Sequence, residues 1–577
     1  MQLTFNNINQ LWSYVLTETL KRLGLSCAII CPGSRSTPLT VAFARQIPDI
    51  EVIPILDERS ASFFALGRAK ATGKPVVLVC TSGTAGANFY PAVIEAKESC
   101  VSLLILTTDR PAELRECHSG QTIDQVKLYG NYPNWQTELA IPSADMAMLS
   151  YLRQMVIHAW ERCQFPHGGA VHLNIPFRDP LAPLPDGTDF KLDCEEFFDG
   201  IIPIQSHFAN YPLPKEWELC KRGIIIAGVA QPKQPEEYCR AIAYLALTLN
   251  WPVLAEGLSP VRNYTDINPY LISSYDIILR NQQIAQQLMP EMVILIGEMP
   301  TSKELRNWLI VTKPYCWLID KSIKNLDPLH GKTTHLRVSI EEIGRMENRA
   351  MEKRSENEYL QQWCEIENQV RTKIDANFEI IDELIECKAA WLISQNLPQR
   401  TPVFISNSMP VRDVEFFWKP NNLEIKPYFN RGANGIDGTL STALGIAHYQ
   451  QSSLMLTGDL ALLHDTNGFL IRNKFIGHLT IVLINNNGGG IFEMLPIAKF
   501  DPPFEEFFAT PQDVDFAKLC ATYNVQYELI SSWENLTARL RVLPKQGIRV
   551  LEIKTNRKSD AKWRMENLKK LAEYLAI

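Results

Sequence analysis

Two strand ends in the last third of the chain constrain everything else. One is Leu454-Met455-Leu456-Thr457-Gly458-Asp459-Leu460-Ala461. The other is Ile481-Val482-Leu483-Ile484-Asn485-Asn486-Asn487-Gly488-Gly489-Gly490-Ile491-Phe492. Each is an apolar run, the length of a buried parallel strand, that breaks abruptly into small and oxygen-bearing residues. Ligands of open α/β sheets sit just past the carboxyl ends of such strands. Asp459 offers a carboxylate, Asn486 an amide oxygen and Gly488 a main-chain carbonyl. These hard donors suit Mg²⁺, which takes one or two protein carboxylates and completes its octahedron with phosphate oxygens and water. The glycines let backbone N–H groups approach a phosphate with no Cβ in the way. The pair reads as a diphosphate–Mg²⁺ clamp, where an isolated Gly-Asp would read as a turn.

The same strand-then-loop pattern recurs upstream. Cys27-Ala28-Ile29-Ile30-Cys31, Val76-Val77-Leu78-Val79-Cys80 and Leu103-Leu104-Ile105-Leu106 each run into a loop rich in Gly, Ser, Thr or Pro. Short apolar strands with helical patterns between them predict an α/β fold of three domains with mostly parallel, doubly wound sheets. No Gly-Lys-Ser/Thr follows either glycine-rich loop, so neither is a P-loop. The proline-rich stretch Asp179–Pro185 reads as a linker closing a first domain over 1–190. A central domain over 200–340 is expected to contain strands at Gly223–Gly228 and Met292–Gly297. The charge-dense residues 341–385 read as a solvated connecting helix, and 386–577 as the domain carrying the clamp. Asn9, or alternatively Asn7, is expected to cap a first helix ending at Arg22.

At 577 residues the chain exceeds what a single core holds. A net charge of −7 argues against general nucleic-acid binding, which demands a basic face. Thirteen cysteines, without any C-x-x-C pair, match a reduced, cytoplasmic pattern. The ten histidines form no recognisable zinc-ligand motif. No apolar run is long enough to span a membrane, and no basic leader precedes an apolar stretch, so a soluble, untargeted protein is expected.

Gly458-Asp459 followed by Asn485-Asn486 resembles the diphosphate motif of thiamine diphosphate enzymes, in which Asp, Asn and a following carbonyl hold the metal. Such a cofactor needs a carboxylic acid to hydrogen-bond its pyrimidine nitrogen. A glutamate in a dry pocket can hold or share that proton, because desolvation raises a carboxyl pKa. Glu58 is the candidate: Val52-Ile53-Pro54-Ile55-Leu56 delivers it, and a small-residue helix (Ala61, Ala65, Gly67, Ala69) follows. Asp57, Arg59 and His118 are not assigned catalytic roles.

Five further stretches narrow the resemblance. They are Cys31-Pro32-Gly33-Ser34-Arg35-Ser36-Thr37-Pro38-Leu39, Thr107-Thr108-Asp109-Arg110-Pro111, Asn407-Ser408-Met409-Pro410-Val411-Arg412-Asp413, Asn430-Arg431-Gly432-Ala433-Asn434-Gly435-Ile436-Asp437-Gly438 and the Asn485–Phe492 loop. Together they resemble the 2-succinyl-5-enolpyruvyl-6-hydroxy-3-cyclohexene-1-carboxylate synthase family, transferases of menaquinone and phylloquinone biosynthesis, over essentially the whole length. The resemblance implies decarboxylation of 2-oxoglutarate on thiamine diphosphate, with Mg²⁺ or Mn²⁺, and addition of the succinyl-semialdehyde carbanion to isochorismate.

It further implies roles for residues at the matching positions. Ser408 and Arg412 would hold the succinyl carboxylate, and Ser34, Arg35, Arg110, Gln121 and Arg431 the isochorismate side. Lys303 matches a basic position near the second substrate, although Glu304 stands where some members carry arginine. Ile436 would be the fulcrum of the bent cofactor, with Ile491, Phe492 and Leu495 as an apolar wall. Cofactor contacts would extend over Glu58, Ser408, Gly435, Ile436, Gly458, Asp459, Leu460, Ala461, Asn486, Gly488, Gly489, Ile491 and Phe492, with Asp459, Asn486 and Gly488 on the metal. Two poly-anionic substrates call for arginines, whose planar fork fixes carboxylate orientation. The family also implies a homodimer or homotetramer, in which pyrimidine and diphosphate ends meet domains of different chains. Two other readings remain open at this point: an acetolactate-synthase-like 2-oxo-acid decarboxylase, and a non-catalytic thiamine diphosphate-binding protein.

Overall fold

The structure is a computed structural model that describes residues 2–187, 190–202, 213–344 and 357–575. Among these residues the chain builds three six-stranded sheets, in each of which every neighbouring pair is parallel. The expected α/β class with parallel, doubly wound sheets is therefore what forms. No described helix is long and apolar enough to cross a membrane. Two compact units result: Met1–Ser206 with Asn430–His448 and His464–Ile476, and His207–Phe429 with Tyr449–Leu463 and Gly477–Ile577.

In the first unit the sheet runs Glu51–Pro54, Cys27–Ile30, Val76–Cys80, Leu103–Asp109, Ala170–Pro176, Trp135–Glu138. The strands Cys27–Ile30, Val76–Cys80, Leu103–Asp109 and Ala170–Pro176 are buried throughout, as expected for strands covered on both faces. The helix Ile8–Arg22 is capped by Asn7, whose side chain accepts from the Gln10 N–H, and ends on Lys21 and Arg22. Asn9 lies inside that helix, and its amide donates to the carbonyls of Arg178 and Pro180 instead. The proline-rich stretch is thus tied down, since Asn7 also donates to Ala182 and Leu184.

The helix Glu58–Thr72 starts on an Asp57 cap and stops at Gly73, whose φ of 66° needs no Cβ. It crosses the helix Thr439–Ala447 at very short range. A Cβ on Gly67 would lie 2.1 Å from the Thr442 carbonyl oxygen, and one on Gly445 would lie 2.1 Å from that of Phe64. Either added methyl forces the two backbones apart.

The second unit holds two sheets. One runs Leu271–Ile272, Val253–Ala255, Gly223–Ala227, Met292–Ile296, Tyr315–Ile319, Lys332–Leu336, so four strands join the two expected from sequence. The two at one edge have only two and three residues, and Lys332–Leu336 is largely polar, which hides all three from an apolar-run reading. The other sheet runs Lys426–Tyr428, Pro402–Ile405, Ser453–Gly458, His478–Asn485, Gly547–Lys554, Gln526–Leu529.

Of the charge-dense stretch, residues 345–356 lie outside the described residues. The helix Glu358–Glu379 is not simply solvated. Tyr359, Leu360, Trp363, Val370, Ile374 and Phe378 form a buried stripe at helical spacing, which the many interspersed charges obscured.

Candidate active site

Doubly wound sheets form a crevice where the order of strands reverses. In the third sheet this point lies between Pro402–Ile405 and Ser453–Gly458, which pair Ile405 with Leu456. Ser408 follows the first strand and Asp459 the second. The next strand, His478–Asn485, pairs Ile484 with Gly458 and so delivers Asn486 and Gly488 to the same edge.

Asp459 is buried and accepts the N–H of Leu460 at 2.9 Å and that of Gly488 at 2.8 Å. Burial pushes its carboxyl up to about 6, a cost that a divalent cation would relieve. Asn486 is buried as well, with its Nδ2 donating to Glu386 at 2.5 Å and its Oδ1 lacking any hydrogen-bond partner. An orphaned buried acceptor costs about 1–3 kcal/mol. Gly488 has φ 145°, and a Cβ there would strike the Ala509 carbonyl at 2.4 Å. A buried carboxylate beside an amide oxygen without a donor is a donor set that fits a hard cation.

Glu58 is the first residue of its helix and half-buried. Asp57, rather than Glu58, caps the helix and also accepts from Asn467 at 2.7 Å, so Glu58 is not consumed by either contact. Burial, followed by the neighbouring charge of Asp57, outweighs its backbone hydrogen bond and raises its pKa. Glu58 lines a cleft of about 310 Å³ with Leu56, Asn88, Asn467 and Leu470. Arg59 is used structurally, donating to the His464 carbonyl at 2.7 Å.

The loop carrying Ile436 belongs to the same unit as Glu58 and is pressed against its helix. A Cβ on Gly438, at φ 64°, would lie 2.1 Å from atoms of the Phe63 ring. Ile436 and Gly435 are partly buried. The same loop begins at Arg431, also partly buried, and is anchored by Glu95, whose carboxylate accepts the N–H groups of Gly432 at 3.0 Å and Ala433 at 2.7 Å.

In the first sheet the strand order reverses between Cys27–Ile30 and Val76–Cys80. Arg35 sits on this point, its N–H donating to Thr81 Oγ1 at 3.3 Å and its guanidinium to the Phe177 carbonyl at 2.9 Å. Arg110 follows Leu103–Asp109 and donates to Ser82 Oγ and to the Gln121 carbonyl at 2.8 Å. Gln121 has φ 58° and donates its amide to the Ser82 carbonyl at 3.0 Å. Burial and then the charge of Arg35 lower the Arg110 pKa. Ser34 stands exposed at the same loop. Arg35, Arg110 and Gln121 thus bond to the adjacent residues Thr81 and Ser82 at one strand end, and Arg35 also lies 3.8 Å from the Asp179 carboxylate.

Ser408 has φ 74° at the turn into the helix Met409–Phe417 and makes no capping bond. A serine held there stores strain of order 1–3 kcal/mol. Arg412, inside that helix rather than in a loop, donates to the Ser408 carbonyl at 2.6 Å. In the second sheet the order reverses between Gly223–Ala227 and Met292–Ile296, and Lys303 follows the latter. It is exposed in the first turn of Lys303–Thr312, while Glu304 faces Arg280 at 3.9 Å. Ile491 and Phe492 are partly buried, whereas Leu495 is 36% exposed. Gly458 has open space where a Cβ would be, Gly489 is packed against Phe492 and the Phe508 carbonyl, and Leu460 and Ala461 continue the short helix that Asp459 opens.

Residues 12–128 match the family model described as thiamine pyrophosphate enzyme, N-terminal TPP binding domain, and residues 205–405 match the middle domain of thiamine pyrophosphate. A protein from Nostoc sp. is 69% identical over 99% of both chains. Relatives from Trichodesmium erythraeum (60% identical, 98% of this chain and 99% of theirs) and Crocosphaera subtropica (55%, 99% of each) are equally complete. All three carry the name 2-succinyl-5-enolpyruvyl-6-hydroxy-3-cyclohexene-1-carboxylate synthase. The chain belongs to this synthase family of thiamine pyrophosphate enzymes.

Within that synthase family frame, some residues near Asn486 carry bonds the sequence did not announce, even though Asp413 closes the Asn407–Asp413 stretch. Glu386, Asp413, Asp560 and Arg564 form a buried ionic cluster beneath Asn486, with Arg564 gripping Asp413 at 2.8 and 2.7 Å and Glu386 at 2.5 Å. Glu95 is equally unmarked. Each is an acid or base on a helix, the commonest solvated pattern, and only its distant partner gives it a role.

Proposed function

We propose that this chain decarboxylates 2-oxoglutarate and joins the resulting four-carbon unit to isochorismate, giving 2-succinyl-5-enolpyruvyl-6-hydroxy-3-cyclohexene-1-carboxylate and CO₂. The observation that carries the reading is the placing of Arg35 and Arg110 on the adjacent residues Thr81 and Ser82 at one strand end, since a pyruvate-specific pocket has no use for a pair of arginines. The names of the full-length relatives support the same substrates. When bound, thiamine diphosphate supplies the electron sink for the decarboxylation. Asp459, the Asn486 Oδ1 and the Gly488 carbonyl would hold Mg²⁺, or Mn²⁺ in its place, against the diphosphate. Glu58 would hold a proton at the pyrimidine N1′, kept there by its burial.

Ser408 and Arg412 orient the carboxylate of the first substrate. Ser34, Arg35, Arg110, Gln121 and Arg431 orient those of the second, with Lys303 contributing positive charge. Ile436 would be the fulcrum of the bent cofactor, and Ile491, Phe492 and Leu495 would be its apolar wall. The reading includes a homodimer or homotetramer in the cytoplasm and a division at about residues 190, 340 and 385.

The test is CO₂ release from 2-oxoglutarate and from pyruvate, each with and without isochorismate. Release from 2-oxoglutarate with coupled product supports the reading; release from pyruvate alone, or none from either, defeats it. Arg412→Ala is expected to raise the KM for 2-oxoglutarate by about 10²-fold, the value of roughly 2–3 kcal/mol for a charged hydrogen bond. Thiamine diphosphate affinity stays near wild type. If the cofactor affinity falls instead, Arg412 does not serve the substrate carboxylate.

A further inference from the structure

We infer that Glu386 is a positioning residue that locks the Asn486 amide with its oxygen turned towards the cation, and that Gly490 leaves the space this amide needs. The inference rests on the proposed clamp and deepens it. An asparagine ligand is ambiguous, because a rotation about its last bond exchanges an oxygen that binds a cation for an NH₂ that repels one. Here Glu386 opposes the rotation, and Gly490 leaves the room in which the amide sits.

Glu386 Oε1 accepts Asn486 Nδ2 at 2.5 Å, and a reversed amide would set oxygen against oxygen. The carboxylate itself cannot swing. Its Oε2 takes Arg564 Nη2 at 2.5 Å, and the Glu386 backbone N–H is held by Asp560 at 3.0 Å. Arg564 is in turn fixed by two bonds to Asp413. A Cβ on Gly490 would lie 2.6 Å from Asn486 Nδ2. Gly490 is outside the left-handed region, so its glycine answers to space and not to backbone conformation. The amide nitrogen fills that space, and Oδ1 is the buried atom left with no donor. Partners of this kind, behind a metal ligand, typically account for about 10–100-fold in metal affinity.

Mn²⁺ titration in the presence of thiamine diphosphate, read by loss of the free-ion paramagnetic resonance signal, tests this without an activity assay. In Glu386→Gln the new amide oxygen pairs with Arg564 and its NH₂ faces Asn486, which draws the asparagine oxygen inward. Glu386→Gln and Gly490→Ala are each expected to raise half-saturation by about 10–100-fold. Asp413→Asn, which loosens the same arginine one step further from Asn486, is expected to raise half-saturation by less than Glu386→Gln does. Adding Asn486→Asp to Glu386→Gln is expected to restore binding, because a carboxylate accepts from the new NH₂ and still offers an oxygen outward. Wild-type affinity in Glu386→Gln overturns the inference while the clamp stands. Undiminished Mn²⁺ binding in Asn486→Ala sinks the clamp itself, and the inference with it.

Discussion

Replacing Glu58 by glutamine is expected to lower turnover by at least roughly 10²–10⁴-fold, the usual contribution of a positioned proton-transfer group. Mg²⁺-dependent binding of thiamine diphosphate should persist. The two effects separate because Glu58 has no structural task that glutamine would fail. Asp57 supplies the helix cap and the bond to Asn467, and the side chain of Glu58 opens into a cleft. Glutamine keeps the shape and loses only the ability to hold and return a proton. The raised pKa of Glu58, from burial first and Asp57 after, belongs to a carboxyl that resists ionisation and can donate. Steady-state turnover and a cofactor titration on the same preparation decide it. Near-normal rates remove Glu58 from the chemistry, and lost cofactor binding makes it an anchor instead.

The second large effect is expected at Asp459. Asp459→Asn removes the only carboxylate proposed for the metal and sets an NH₂ against one of two backbone donors, Leu460 N–H or Gly488 N–H. Thiamine diphosphate affinity at saturating Mg²⁺ should fall by more than the roughly 10–100-fold that loss of a mere supporting residue costs. With the metal chelated, wild type and variant should bind the cofactor equally weakly. That convergence identifies a metal ligand. A variant that loses affinity by the same factor with and without metal would show that Asp459 organises the loop alone.

Much of the site was legible because strand ends announce themselves. An apolar run that stops at Gly458-Asp459 or Asn485-Asn486 must end at a sheet edge, and parallel strands place all such ends on one side. Arg35 and Arg110 were readable for the same reason. Three things were not. Asn7 and Asn9 are equivalent as caps by residue type, and only the bonds of Asn9 to Arg178 and Pro180 separate them. The buried stripe of Glu358–Glu379 was masked by charges on its other faces. The strands Val253–Ala255 and Leu271–Ile272 are too short to carry a pattern.

What the amino-acid order determined by itself is the chemistry available at each strand end: an acid, an amide, glycines and arginines, each placed by the few residues around it. Direction was left to the tertiary structure. Which way the Asn486 amide turns depends on Glu386, 100 positions away, and the loop of Arg431 and Ile436 takes its place from Glu95, more than three hundred positions earlier. The physical reason is that backbone periodicity is local. A buried polar atom must instead find its partner wherever the packed chain brings one within about 3 Å.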